Sequence, residues 1–357
     1  MSQLSLIEIA GTPHEAGRAL GRFGAAAVHG HLLRSRAWAG VMAWRRTEQV
    51  VHMASLVRER FPRAWAELQG LAEGLNLPFD EVFLWNCRGD LSSMAPDGCT
   101  TVQLPGRDVR RMSHNEDGDP GFAGRCAIAA LAIEGSPRFA SFVYPGSLAG
   151  HTFAVTDSGL AMTVNNLRAL HVSPGVPRMV LTRALLDAAS LDAAVALLRE
   201  QPRAGGFHLT LGHCDSADLL SVEFTSQACS VRAVTTPALH ANHAIHPTMR
   251  DLPQRITGSS GHRQVRGDAL IDAAAQSGAQ VDPLAILTDV EHPKFPILRL
   301  DPADVDDENT LATADIVIRA SHIDWRVHEH PGRPARFELT NGHAKGSTPA
   351  VPAARDH

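Results

Sequence analysis

The spacing of apolar positions changes character near residue 98, and that change predicts the layout of the chain. Upstream, apolar side chains recur every three or four residues, the period of a helix with one buried stripe. Ala16, Leu20, Phe23 and Ala27 form the first stripe. Thr12-Pro13-His14-Glu15 opens it: Thr12 caps, Pro13 suits the first turn, and Glu15 completes a capping box. A second helix is expected over about Glu48 to Phe61, and a third from Pro62 through Trp65, Leu68 and Leu71 to a stop at Gly74. Phe79 to Asn86 makes a fourth. Residues 1–98 therefore read as a mostly helical segment.

Downstream, short runs of strand formers dominate: Thr100 to Leu104, Ala127 to Ile133 and Arg138 to Tyr144. Two hairpins follow. One spans Phe153 to Val164 and turns at Asp157-Ser158-Gly159; the other spans Leu209 to Phe224 and turns at Asp215-Ser216-Ala217-Asp218. Helices over about Arg178 to Ala189 and Leu191 to Glu200 lie between them. Helices near Gln264 to Ala275 and Pro283 to Leu287 precede strands at Leu311 to Ala320, Trp325 to His330 and Phe337 to Leu339. Residues 342–357, rich in Gly, Pro and Ala, are expected to be disordered. Strands, inserted helices and closing strands suit two packed sheets with helices outside, although the pattern alone leaves other α+β layouts open.

Composition narrows the possibilities. With 357 residues and 44% hydrophobic content, the chain can bury a sizeable core as one large domain or two. A net charge of −5 and the lack of any Lys/Arg run argue against nucleic acid as a partner. No apolar run approaches the roughly 20 residues that span a bilayer, so no membrane is expected. Met1 to Thr12 lacks the basic and apolar regions of a signal peptide. The five cysteines, Cys87, Cys99, Cys126, Cys214 and Cys229, are odd in number and contain no C-x-x-C pair. A reducing, cytoplasmic location is the expectation.

One of these cysteines stands out. Gly98-Cys99, followed by the strand formers Thr100-Thr101-Val102-Gln103-Leu104, is a candidate self-cleavage junction. Gly98 permits a peptide geometry that a Cβ would obstruct. Attack of the Cys99 thiol on the Gly98 carbonyl, then hydrolysis of the thioester, would separate residues 1–98 from 99–357. Cys99 would then carry a nucleophile and an α-amine with a reference pKa of about 7.7, able to take the thiol proton directly or through one water. The chemistry expected is acyl transfer or amide hydrolysis.

Several motifs surround this junction in a definite order. Asn86-Cys87-Arg88-Gly89-Asp90 precedes Asp97-Gly98-Cys99-Thr100-Thr101. His114-Asn115-Glu116-Asp117, Ser158-Gly159-Leu160-Ala161-Met162-Thr163-Val164-Asn165-Asn166, His240-Ala241-Asn242-His243 and Ser260-Gly261-His262-Arg263 follow. Together they resemble the acyl-coenzyme A:6-aminopenicillanic acid acyltransferase family, the penicillin acyltransferase-type cysteine peptidases of the Ntn hydrolases. The resemblance covers most of residues 1–340. It implies a four-layer αββα sandwich over 99–341, a precursor cut before an internal Cys, and two fragments that stay together, with no cofactor.

It also implies roles for particular residues. Asp117 would orient the α-amine of Cys99; the competing reading is an Asx turn in Glu116-Asp117-Gly118-Asp119-Pro120. Asn242 is the first oxyanion-hole candidate, because an amide NH₂ donates without titrating, and losing such a donor typically costs about 10²–10³ in kcat. Asn165 is the second, with Asn166 as an alternative in register. Arg263 is expected to hold a carboxylate, of a catalytic Asp or of substrate, or else to lie on a solvated helix face. The segment Asn-Glu-Asp-Gly-Asp replaces the family's Asn-aromatic-Asp, which alters the expected acyl pocket; Phe122 and Trp85 are candidates to line it.

The expected reaction is hydrolysis or transfer of the acyl group of a small N-acylated amino compound, possibly an acyl thioester. Hydrolysis is favoured over penicillin synthesis because Ala354-Arg355-Asp356-His357 is no peroxisomal address. Two rivals stand beside this reading. A metal-dependent hydrolase would use His240, His243 and His246, although one helix or strand cannot aim all three at one ion. A binding protein would keep the scaffold uncut. Tyr144-Pro145-Gly146-Ser147-Leu148 lacks the G-x-S-x-G arrangement of a serine hydrolase.

Overall fold

A computed structural model describes residues 3–91 and 98–344, so Asp97 and the tail from 345 lie outside the described residues. The chain opens with strand β1 (Ser5–Gly11) and continues through helices α1 (Pro13–Gly30), α2 (Arg36–Met42), α3 (Glu48–Arg60), α4 (Pro62–Leu75), α5 (Phe79–Trp85) and α6 (Arg88–Leu91). Strands β2 (Gly98–Leu104), β3 (Arg110–Gly118), β4 (Ala127–Ile133), β5 (Phe139–Val143), β6 (Phe153–Thr156) and β7 (Leu160–Asn166) follow. Helices α7 (Arg178–Leu185) and α8 (Leu191–Glu200) separate them from β8 (Phe207–His213), β9 (Leu219–Phe224), β10 (Cys229–Ala233) and β11 (Ala238–His240). The last stretch comprises α9 (Gly258–Ser277), α10 (Pro283–Leu287), β12 (Asn309–Ile318), β13 (Ile323–His328), β14 (Phe337–Thr340) and β15 (His343–Ala344).

These strands form two sheets. One has the order β1-β4-β5-β6-β7-β8-β9-β10, the other β11-β2-β3-β12-β13-β14-β15. All pairings are antiparallel except β1 with β4. The sheets face each other where β2 lies over β7. Helix α1 packs on β1 and β4, and α8 on β8 and β10; α9 covers β11, and α10 covers β2 and β3. The result is the α+β sandwich of helices, sheet, sheet and helices. Among the described residues no helix is long and apolar enough to cross a membrane.

The N-terminal segment is mostly helical, as its periodicity predicts, with one exception. Strand β1 is absent from the sequence expectation, because its partner among the described residues, β4, lies more than a hundred residues away and periodicity within one window carries no trace of it. It joins residues on both sides of the Gly98–Cys99 junction into a single sheet. The third helix also runs past its expected stop: Asn76, with φ 54°, is the left-handed cap. Gly74 has a different task. A Cβ on it would lie 2.2 Å from the Arg18 carbonyl, and one on Gly70 1.9 Å from the His14 carbonyl. Glycine lets α1 and α4 touch backbone to backbone. The expected capping box is present, with Glu15 Oε2 accepting from the Thr12 N–H at 2.9 Å.

Candidate active site

The pairing of β2 with β3 arranges the site. Gly98 stands opposite Asp117, Cys99 opposite Glu116, Thr100 opposite Asn115 and Thr101 opposite His114. Successive residues of a strand point to opposite faces. Cys99, Thr101, His114 and Glu116 therefore look inward, toward the other sheet. Gly98, Thr100, Asn115 and Asp117 look outward, toward α9, α10 and the loop before β12. Glu116 and Asp117 belong to the strand, so the turn once conceivable for them is absent.

On the inner face the side chains form a hydrogen-bonded chain. The Cys99 thiol donates to Glu116 Oε2 over 3.9 Å. Glu116 Oε2 lies 3.1 Å from His114 Nε2, and Glu116 Oε1 accepts from the Tyr144 hydroxyl at 2.9 Å. His114 Nδ1 lies 2.8 Å from Thr101 Oγ1, which donates to Asn165 Oδ1 at 2.7 Å. Cys99, His114 and Glu116 are buried. Burial pushes the His114 imidazole down to about 3, keeping it neutral.

On the outer face lies an ion cluster. Arg263 Nη1 donates to the Cys99 carbonyl at 2.5 Å and to Thr100 Oγ1 at 2.7 Å, while Nη2 donates to Asn242 Oδ1 at 2.6 Å. That same Asn242 oxygen accepts the Cys99 backbone N–H at 2.9 Å. Asp117 Oδ1 accepts from Thr310 Oγ1 at 2.6 Å; its Oδ2 is buried without a hydrogen-bond partner among the described residues. Burial pushes the Asp117 carboxyl up, against the pull of Arg263 and Arg299. Glu308 pairs with Arg168 and Arg299 beside them. A Cβ on Gly98 would sit 2.3 Å from Glu308 Oε2 and 3.1 Å from Arg299 Nη1. Gly98 is required for space, since its φ lies outside the left-handed region.

The predicted residues thus converge in part. Gly98, Cys99, Asp117, Asn242 and Arg263 share one cluster. Arg263 is buried, and its hydrogen bonds reach a carbonyl, two hydroxyls and an amide oxygen. The carboxylate expected for it is no hydrogen-bond partner; Asp117 acts on it through charge alone. The order of the motifs has a physical basis here, because Ser260 and Gln264 of α9 staple the segment after β11. The Asn242 N–H donates to Ser260 Oγ at 2.9 Å, and the Ala241 N–H to Gln264 Oε1 at 3.0 Å.

The asparagines are oriented by their neighbours. Asn242 Nδ2 donates to the Asn166 carbonyl at 3.2 Å. Asn165 lies on the inner face, with Nδ2 donating to the His240 carbonyl at 3.0 Å. Asn166 turns the other way, its Oδ1 accepting from Arg178 Nη1. Asn115 donates to the carbonyls of Leu287 and Ile297, anchoring α10.

The three histidines of the metal reading do not gather. His240 Nε2 lies 2.8 Å from Glu223, His243 Nδ1 pairs with Ser260, and His246 lies between Ser221 and Ser230. Among the described residues, the one group of three potential ligands with donor atoms within 4.8 Å of one another is Cys99, His114 and Glu116.

Trp85, Phe122 and Tyr144 line one narrow cleft with Arg88 and Asp119, with room for about one water. Its wall Tyr144 reaches Glu116, so the two aromatic candidates lie one side chain from the neighbourhood of Cys99. Sequence reasoning missed His114, Glu116, Arg299, Glu308 and Thr310 as parts of the site. The first two were visible within a quoted motif and could have been flagged by their alternation with Asn115 and Asp117. The last three come from a loop and strand some two hundred residues downstream and leave no local signal.

Comparison with known proteins bears on the family of the chain. A beta-alanyl-dopamine/carcinine hydrolase from Drosophila melanogaster is 28% identical over 189 residues, which are 47% of this chain and 46% of that protein. The match spans about half the length of that curated relative. A variant of the conjugated bile acid hydrolase from Clostridium perfringens superposes on 68% of this chain and 92% of its own, with a TM-score of 0.42 and 11% identity. Residues 105–331, more than half of the chain, match the family model of acyl-coenzyme A:6-aminopenicillanic acid acyl-transferase, beginning just downstream of the Gly98–Cys99 junction. The chain belongs to that family.

Proposed function

We propose that the protein cuts its own Gly98–Cys99 bond and then hydrolyses the amide of a small N-acylated amine through a Cys99 thioester. One observation carries this reading: both polar groups of the Cys99 backbone are held by side chains, the N–H by Asn242 and the carbonyl by Arg263. β11 pairs with β2 only from Thr101 to Gln103, so at Cys99 these two side chains stand where a neighbouring strand would otherwise bond. Cleavage would turn the Cys99 N–H into an amine held by Asn242 Oδ1, with Asp117 opposite Gly98 in the ladder as the acid proposed to orient it. The amine takes the thiol proton as general base and returns it to the leaving amine. One Asn242 Nδ2 hydrogen is committed to Asn166; the second is our donor to the tetrahedral oxyanion, with Asn165 as the reserve.

The substrate to test first follows from the Drosophila relative, a beta-alanyl-dopamine/carcinine hydrolase. We extend that class, N-acyl amines with a short acyl group, to this chain. Denaturing mass spectrometry of untreated protein tests the whole reading. The expected result is two fragments, the larger beginning Cys99-Thr100, and a single uncut chain for Cys99→Ala. An intact wild-type chain that is fully active, or turnover that survives thiol alkylation, overturns it.

A further inference from the structure

The inner face of β2 continues past Cys99 to a cavity that the proposed mechanism does not use. Gln103 lies four residues along the strand, about 13 Å at the rise of a strand, and on the same face as Cys99. On the other sheet, Ser221 of β9 stands opposite Arg232 of β10, and Glu223 opposite Ser230. Cross-strand partners share a face. This face turns toward β2 and β11, since Glu223 Oε1 lies 2.8 Å from His240 Nε2. Strands β10 and β11 end their respective sheets. Between them opens a cavity of about 180 Å³, lined by Gln103, Ser221, Arg232, His240 and His246 and by the segment that joins β10 to β11.

Hydrogen bonds fix the protons of its floor. Asn165 Nδ2 donates to the His240 carbonyl, so Asn165 Oδ1 accepts, and His208 Nδ1 donates to it at 3.1 Å. Burial keeps His208 neutral, which leaves its Nε2 bare. The Ser221 hydroxyl, 2.9 Å away, gives its one hydrogen there and accepts from His246 Nε2 at 3.0 Å. Burial brings His246 down to about 4, so at neutral pH its Nδ1 is bare and accepts from Ser230 at 3.0 Å. Gln103 Nε2 turns to the His208 lone pair at 3.3 Å and donates to Thr210 Oγ1 at 2.6 Å. Its Oε1 accepts no hydrogen bond among the described residues, although Gln103 is only 2% exposed. Glu223 is compensated by His240 and by the N–H groups of Ile245 and His246. Among the described residues no carboxylate lines the cavity, and Arg232 forms no ion pair.

We propose that this cavity binds a small carboxylic acid that also carries an amine or hydroxyl, its carboxylate on Arg232 and its N–H or O–H donating to Gln103 Oε1. The chemistry follows from what the walls leave unmet: one cation without an anion and one buried acceptor without a donor. The buried hydroxyl and imidazoles of the floor spend their hydrogens on one another. The volume falls below the roughly 300–1,000 Å³ of pockets for drug-sized ligands, which limits the occupant to a few carbons. Thr101 lies between Cys99 and Gln103 on the same face, bonded to Asn165, so the cavity is distinct from the proposed catalytic site.

The test does not depend on what Cys99 does. The full chain is titrated calorimetrically with glycine, β-alanine and 4-aminobutyrate, whose lengths probe the span between the two groups, and with propionate, which lacks the donor. At least one of the amino acids should bind with a Kd of about 1 mM or tighter, and at least about tenfold more tightly than propionate. Arg232→Gln alters an exposed side chain, so the fold should survive, and it should weaken binding by about tenfold or more. Cys99→Ala should bind as the wild type does. Histidine-labelled wild type gives a second measurement that needs no variant. The ring signals of His240 and His246 should shift along the calorimetric binding curve, and that of exposed His52 on α3 should stay fixed. No binding by any of the three, equal binding of propionate, unchanged affinity in Arg232→Gln, or unmoved His240 and His246 signals overturns the proposal. Loss of binding in Cys99→Ala would put the probe at the nucleophile and overturns it as well.

Discussion

Strand β2 has two faces, and they treat charge in opposite ways. Toward the other sheet, Cys99 and Thr101 meet a hydrogen-bonded chain that balances its protons internally and holds histidines neutral. Toward α9, Gly98 and Thr100 meet Arg263, Arg299, Asp117 and Glu308, ions that compensate one another at close range. The difference separates two tasks on adjacent residues. The inner face sets the environment of the sulfur; the outer face grips the backbone on either side of it. Net charge within a low-dielectric site is costly, so each face must be balanced by itself.

The largest effect should come from breaking the outer grip. Arg263→Met removes the bonds to the Cys99 carbonyl, Thr100 and Asn242 and leaves Asp117 with less compensation. It should lower stability by about 3–5 kcal/mol in chemical denaturation, as loss of one partner from a buried pair does. Processing and turnover should fall by about 10²-fold or more, in the range for lost oxyanion-site organisation. Gly98→Ala tests the crowding of that face. Its Cβ must displace Glu308 or Arg299, and overpacking of this kind costs about 1–3 kcal/mol. If the variant is as stable as the wild type, the close approach at the junction is not a constraint.

Acidification separates neutral groups from charged ones. His114 titrates at about 3 in the fold and at about 6.5 unfolded, so the unfolded chain binds more protons between these values. Its contribution is present above pH 6.5 and is lost as pH falls through that window, by up to about 1.4 kcal/mol per unit. His114→Asn should flatten this acid limb in thermal unfolding. Asp90, buried beside Arg178 and away from both faces, gives the opposite sign: burial raises it to about 7 from 3.8. Its contribution is present below pH 4 and is lost as pH rises to 7, and Asp90→Asn should remove that slope. The smallest effect is expected from Tyr144→Phe. It deletes one donor to Glu116 and should cost about 1 kcal/mol, while leaving the outer face and its hold on the Cys99 backbone unchanged.

Much of this architecture was legible before any coordinates. The capping box at Thr12, the helices at 48–60 and 191–200, both hairpins and the closing strands follow from period and turn chemistry, which act over a few residues. Boundaries slipped where tertiary contact took over. Helix α9 starts at Gly258, six residues early, because Thr257 caps it and Ser259, Ser260 and Arg263 must all face the site. Gly74 looked like a helix stop and is a contact between helices. Asp117 was tied to Cys99 by the family resemblance, and strand register made the two near neighbours on opposite faces.

Local pattern was enough for the alternation that splits β2 and β3 into two faces, the placement of glycine before cysteine, and the family to which the ordered motifs belong. These are local properties, written in the residues concerned. The partners that each face meets came from the folded chain: β1 reaching across to β4, Glu308 and Arg299 closing over Gly98, and Tyr144 rising to Glu116. The reason is physical. Pairing between distant segments is chosen by the burial of the whole molecule and by the need to neutralise every buried charge, and neither is a property of any single stretch of chain.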